Sequence, residues 1–202
     1  MKKFLSSLLF SVLLLMPLSG ASIQETRWNS AKIRVSEQSS VRWTARQIER
    51  GKYRYDIISK KTGVPWWIVG ILHNMECGLD FTKHLHNGDS LRKRTWQVPA
   101  GRPKTGTPPF TFEFSAQDAL IYDKMDKVNW TKLDSTLDSL EGYNGWGYRK
   151  YHPTVPTPYL WAGTTVYSSG KYVADGKWSA TAVSKQVGCC AIMKDLGIKL
   201  SN

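Results

Sequence analysis

The chain has 202 residues, and 28 Lys and Arg against 16 Asp and Glu give it a formal charge of +12. That length suits one domain with its own core, and no internal repeat or low-complexity stretch points to a repeat architecture. So basic a chain is drawn to polyanions, and three cysteines, an odd number, leave at least one thiol unpaired within a monomer.

In chain order, Lys2 and Lys3 precede an apolar run over residues 4–16, and Ser19, Gly20 and Ala21 follow as small residues. This is the pattern of a secretory signal peptide over residues 1–21, cut after Ala21. The run is too short for a membrane span, and no second run follows. An exported protein, periplasmic or extracellular, is expected. Nucleic acid is a poor partner there, and anionic wall polymers or lipid headgroups fit better. Residues 22–40 are polar and Ser-rich, which predicts a loose arm before a domain over residues 41–202. Val41, Ala45, Ile48, Tyr55 and Ile58 fall at helical intervals, with Gly51 expected to divide two helices and Gly63 to end the second. Pro65 suits a first helical turn. Val64, Ile68, Ile71 and Met75 then mark an apolar helix that carries Glu76 at its far end and stops at Gly78.

Residues 84–106 are rich in turn formers, with an alternating piece at residues 95–98, so a short antiparallel hairpin is expected there. Ser115 and Asp118 resemble a capping box opening a helix over residues 116–125. Leu133, Leu137 and Leu140 mark a helix closed by Gly142. Residues 143–179 are dense in Pro, Gly, Tyr and Trp and read as ordered, irregular chain. A last helix is expected over residues 183–196, with Gly197 as its stop. The fold class is mainly α (α+β), with a small β element after the Glu76 helix.

Glu76 is the residue with chemistry in it. A carboxylate at a helix C-terminus faces unpaired carbonyls and the negative end of the dipole. Apolar neighbours add desolvation, so the proton is held towards neutral pH. Cleaving a glycosidic bond needs such an acid to protonate the leaving oxygen. The bland alternative is a Glu that caps, pairs with Lys83 or points to water.

The segment "GVPWWIVGILHNMECGLDF" resembles the catalytic helix of the lysozyme superfamily, most nearly goose-type lysozymes and soluble lytic transglycosylases. Glu76 falls on the acid, and Cys77 stands where a serine is usual. "GYNGWG" resembles the family's Tyr-Asn-Gly turn, which would place Tyr143 and Asn144 along a sugar cleft. "HLHNGDSL", "VPAGRP", "SAQDAL" and "PYLWAGTTVYSSGKYVADG" resemble a group of small bacterial and phage lysozyme-like proteins. The Gly-Leu-Met-Gln segment of transglycosylases is absent, and "RTWQVPAGRP" stands near its place. The resemblance implies a lysozyme-like domain that cleaves the β-1,4 glycan of peptidoglycan, as a monomer and without a cofactor.

A hydrolase needs a second group to hold water or act as nucleophile. Asp89 is expected in that catalytic role, because goose-type lysozymes carry an aspartate in this element; an Asx turn after Asn87 and Gly88 is the structural alternative. Asp80 is the next candidate, as a substrate contact. If either acid faced the cleft it would pair with an ammonium, and deacetylated wall would be accepted. Glu113 and Glu141 are weaker candidates. Trp96, Tyr143, Tyr148 and Tyr151 lie in segments expected to be hairpin or irregular chain, where flat rings suit the C–H faces of sugars.

Three rivals compete with this reading. A cysteine peptidase would use Cys77 with His73, His84 or His86, but a nucleophilic thiol favours the opposite helix end. A metal at His84 and His86 lacks a third ligand at suggestive spacing, so no metal is expected. A non-catalytic wall-binding protein on the same fold remains the alternative from another class.

Overall fold

The computed structural model describes residues 21–202, and the expected signal segment, Ala21 apart, falls outside the described residues. The chain is mainly α-helical, with a two-stranded antiparallel sheet. Its centre is α2 (Gln38–Thr62), which packs against α3 (Trp66–Cys77), α4 (Phe112–Tyr122) and α8 (Cys189–Asp195). The α2 residues Val41, Ala45, Ile48, Tyr55 and Ile58 are each no more than 2% exposed, the single apolar stripe of a helix laid on a core.

Gly51 does not break α2. It lies within the helix, where an added Cβ would sit 2.7 Å from the Tyr55 ring, so its missing side chain makes room for Tyr55. The same ring reaches Gly70 on α3, whose added Cβ would meet Ile48 Cγ2 at 2.4 Å. Two glycines thus let α2 and α3 cross closely, and Tyr55 hydrogen-bonds His73 Nδ1 at 2.9 Å across the contact.

The expected loose arm is instead folded. Residues 22–40 hold α1 (Ile23–Ser30), capped by the Ser22 hydroxyl, then a 3-10 turn and the start of α2. Trp28 is 7% exposed, and Lys194 Nζ lies 4.3 Å from its ring centre. One buried tryptophan outweighs the polar composition around it.

The hairpin expected at residues 84–106 does not form. The Trp96 and Gln97 backbone N–H groups donate to the Asp89 carboxylate instead of to a partner strand. Pro99 and Pro103 have no N–H to offer a ladder. The sheet lies later, as β1 (Lys171–Ala174) and β2 (Lys177–Ser179), pairing Tyr172 with Trp178.

Three helix boundaries also differ. The cap of α4 is Thr111, whose hydroxyl accepts from Phe114 N. Ser115 is buried inside that helix against His84 Nδ1 at 2.6 Å, and Asp118 binds Arg102 and His86. Helix α5 (Leu133–Asn144) runs past Gly142 to Gly145, and the Trp146 ring folds back over Gly142. The chain before α8 is not helical: Ser184 N donates to the Tyr167 hydroxyl and Gln186 Nε2 to Met75 O. Between these lie α6 (Gly147–Tyr151) and α7 (Pro158–Trp161), which packs on α5 and α8. Cys77, Cys189 and Cys190 are free and buried, so no bridge joins the end of α3 to α8.

Candidate active site

Glu76 stands one residue from the end of α3, on a helix buried nearly all round. Gly78 at φ +60 and Leu79 at φ +64 both adopt left-handed backbone, and their N–H groups return to Asn74 O and His73 O. A leucine in that region is strained. The consequence is an abrupt turn that leaves Glu76 at the lip of the core. The loop over residues 84–89 folds onto this end: His84 N donates to Asp89 O at 2.7 Å, and Gly88 lies against the Glu76 carbonyl.

The Glu76 carboxyl is half-buried, and Oε1 accepts from the Tyr159 hydroxyl at 2.9 Å. Burial raises its pKa above the ordinary value; the Tyr159 hydrogen bond works against this, and the nearby charge of Asp123 adds to it. Tyr159 is anchored at 8% exposure on α7, a helix opened by Pro158 at its first turn.

Asp123, the C-cap of α4, is the carboxylate that the sequence reading missed. Although exposed as a residue, its carboxyl is crowded by neighbouring protein and is raised in pKa. The Arg102 charge and the nearby Tyr143 hydroxyl oppose that rise. Tyr143 closes the group: its hydroxyl faces Leu85 O at 3.4 Å and Asp123, and burial beside the Asp123 and Glu76 charges keeps its own proton firmly in place. Glu76, Asp123, Tyr143 and Tyr159 therefore form one cluster drawn from α3, α4, α5 and α7.

No sequence signal pointed to Asp123, because the fold alone brings the end of α4 near Glu76. Tyr159 was one aromatic among many in a segment without clear periodicity.

Asp89 is placed differently from its expected role. It is 5% exposed, and its two oxygens accept from Trp96 N, Gln97 N, Gln97 Nε2 and Asn87 Nδ2 at 2.8–3.0 Å. Burial would raise its pKa, but these donors hold it below the ordinary value. With its acceptor sites so occupied it organises the loop and has little left with which to hold a reacting water. Asp80 sits in a surface turn, accepting from Thr82 N and Oγ1 and pairing with Lys83 at 3.6 Å. The Thr82 bonds keep it ionised, with a lowered pKa.

The remaining expected sugar contacts divide. Trp96 is 75% exposed on the loop that Asp89 holds, and Asn144 is exposed at the end of α5. Tyr148 is a packing residue, 8% exposed and edge-on to Tyr172 and Trp178. Tyr151 is 61% exposed, with Lys150 Nζ over its ring. Glu113 pairs with Arg54 across α2 and α4. Glu141 is buried, accepting from Gln24 Nε2 and from the exposed Arg149, on the opposite side of α5 from Tyr143.

Cys77 and the three candidate histidines are each engaged within the fold. Cys77 Sγ donates to His84 O at 3.2 Å, and burial pushes its pKa up to about 12. Each candidate imidazole is engaged elsewhere: His73 with Tyr55, His84 with Ser115 and Lys93 O, and His86 with Asp118. Burial lowers His73 to about 4. Among the described residues no group of three His, Cys, Asp or Glu side chains is disposed to hold a metal.

No protein-family model matches this chain, and neither does any curated protein or solved structure.

Proposed function

We propose that this chain is a peptidoglycan glycosidase of lysozyme type, cleaving the β-1,4 glycan backbone with Glu76 as general acid. The observation that carries the reading is the half-buried Glu76 carboxyl, raised in pKa by burial and by Asp123, with a single neutral donor, Tyr159, on Oε1. Burial and the second carboxylate favour the protonated form of Glu76. The Tyr159 hydroxyl stabilises the carboxylate that forms once the proton has moved to the leaving oxygen, so the acid is weak without being inert. The resemblance of the α3 segment to the lysozyme superfamily supplies the substrate class.

Asp123 favours hydrolysis over transglycosylation. A transglycosylase lets a muramyl hydroxyl close the ring and can reuse one acid as base. A hydrolase needs a second group that binds water. Asp123, linked to Glu76 through its charge and lying beside the Tyr143 hydroxyl, is that group in this reading. The chemistry calls on no cofactor.

The test is turnover of purified sacculi. Glu76→Gln keeps the Tyr159 contact but has no proton to give, and is expected to lower the rate by at least about a hundredfold, the scale of a general-acid contribution. Wild-type rates in that variant would sink the assignment. Mass spectrometry of the products separates the alternatives: hydrated reducing ends support the hydrolase, and 1,6-anhydro ends make it a transglycosylase. Binding of sacculi without turnover by the unaltered protein would make it a wall-binding protein.

A further inference from the structure

The face of α2 that turns away from the core carries an ordered pattern. Trp43, Arg46, Arg50, Tyr53, Ile57 and Lys60 recur at alternating spacings of three and four residues, which places them in a stripe about 100° wide and roughly 25 Å long. Trp43 is 61% exposed, Tyr53 71% and Ile57 47%, and Arg46, Arg50 and Lys60 are exposed too. Three large apolar side chains on one outward helix face are more than the isolated exposures of an ordinary surface.

The charge on this face is unbalanced. On the same helix and its flanks, Arg42 pairs with Asp195, Lys52 with Asp56, and Arg54 with Glu113. Among the described residues, no carboxylate lies within ion-pair distance of Arg46, Arg50 or Lys60; Arg50 reaches only Gln47 at 3.4 Å. Glu49 is the single acid beside the stripe without a partner. The pattern is therefore an aromatic and aliphatic ridge flanked by free cations.

We infer that this face of α2 docks on an anionic lipid surface, with Trp43, Tyr53 and Ile57 entering the headgroup boundary and Arg46, Arg50 and Lys60 pairing with lipid phosphates. The division of labour favours lipid over a soluble polyanion. A phosphate polymer would use the cations and leave Trp43, Tyr53 and Ile57 in water, whereas a bilayer interface takes up both sets. The helix is already folded and fixed by its core face, so docking carries no cost of helix formation. This inference does not depend on the role given to Glu76.

The experiment is co-sedimentation with vesicles of phosphatidylglycerol and phosphatidylcholine in equal parts, against phosphatidylcholine alone. The protein is used as recovered from expressing cells, with its N-terminal residue identified. Binding is expected to the anionic vesicles, to be absent on the neutral ones, and to weaken with added salt. Arg46→Glu with Arg50→Glu should weaken it at least about 25-fold, since each surface cation contributes about fivefold. Trp43→Ala with Tyr53→Ala should also weaken it while leaving the charge intact. All four positions are solvent-facing, and circular dichroism checks that the fold is kept. Full binding by the aromatic double variant, with dextran sulfate competing for the site, would make the ligand a soluble polyanion and overturn the lipid assignment. An equal loss on Lys104→Glu with Lys185→Glu, both exposed elsewhere, would reduce the effect to net charge. Absence of binding to the anionic vesicles would remove the inference outright.

Discussion

Replacing Asp89 separates a structural from a chemical role for the acid that the sequence favoured. Four N–H groups converge on its carboxylate at 2.8–3.0 Å. In Asp89→Ala the two side-chain amides can turn to water, but the Trp96 and Gln97 backbone donors cannot leave without moving the loop. A hydrogen bond to a charged group contributes about 1.5–3 kcal/mol, so two stranded donors cost about 3 kcal/mol at the lower end. For a domain of this size that lowers Tm by about 6–12 °C. Asp89→Asn, with one acceptor oxygen left and an NH2 facing other donors, should fall between the two.

The pH dependence carries a sign. Asp89 has a lowered pKa in the fold, so its contribution is present above the ordinary value of 3.8 and is lost as pH falls through the lower folded value. Wild type and Asp89→Ala should therefore converge in stability in strong acid. Thermal unfolding across pH, with turnover measured well below each Tm, reads both quantities. The expected result is a large loss of Tm with activity per folded molecule within a few-fold. An unchanged Tm with turnover lost by orders of magnitude would refute the structural role and return Asp89 to the chemistry.

Asp123→Asn removes a charge that raises the Glu76 pKa. The alkaline limb of the rate profile, where Glu76 loses its proton, should then move to lower pH, and turnover should fall even at the optimum if Asp123 also serves water. Cys77→Ser should keep activity within a few-fold, because the buried thiol only donates to His84 O; native protein should likewise resist iodoacetamide at pH 8, and rapid alkylation with loss of activity would contradict both. Gly70→Ala drives a methyl to 2.4 Å from Ile48 Cγ2, and overpacking of about 1–3 kcal/mol should lower Tm by about 2–12 °C. An unchanged Tm would mean that α2 and α3 can part to admit the methyl, and would refute the close crossing at Gly70.

Local patterns were legible wherever one residue type answers one local demand. The apolar run from Ile68 to Leu72 determined a buried helix, and Gly63 and Gly78 determined where two helices stop, because both sit at positive φ. Glu76 could be singled out for the same reason: its position relative to Gly78 is a matter of sequence distance alone. The leucine spacing at 133, 137 and 140 likewise marked α5.

What the tertiary structure decided is where separate segments meet. Gly51 looked like a breaker because its partner, the Tyr55 ring, could be seen only once α2 had coiled and packed on α3. The hairpin expected after Glu76 was lost to a competition invisible in one strand's sequence, since the Asp89 carboxylate took the N–H groups that a ladder would have used. The same holds for the site. Asp123 and Tyr159 lie 47 and 83 residues from Glu76 along the chain, and their charge and hydroxyl act on it only because the end of α4 and the start of α7 lie near it in the fold. Electrostatic influence falls with distance in space, and chain order carries almost no information about that distance for residues so far apart.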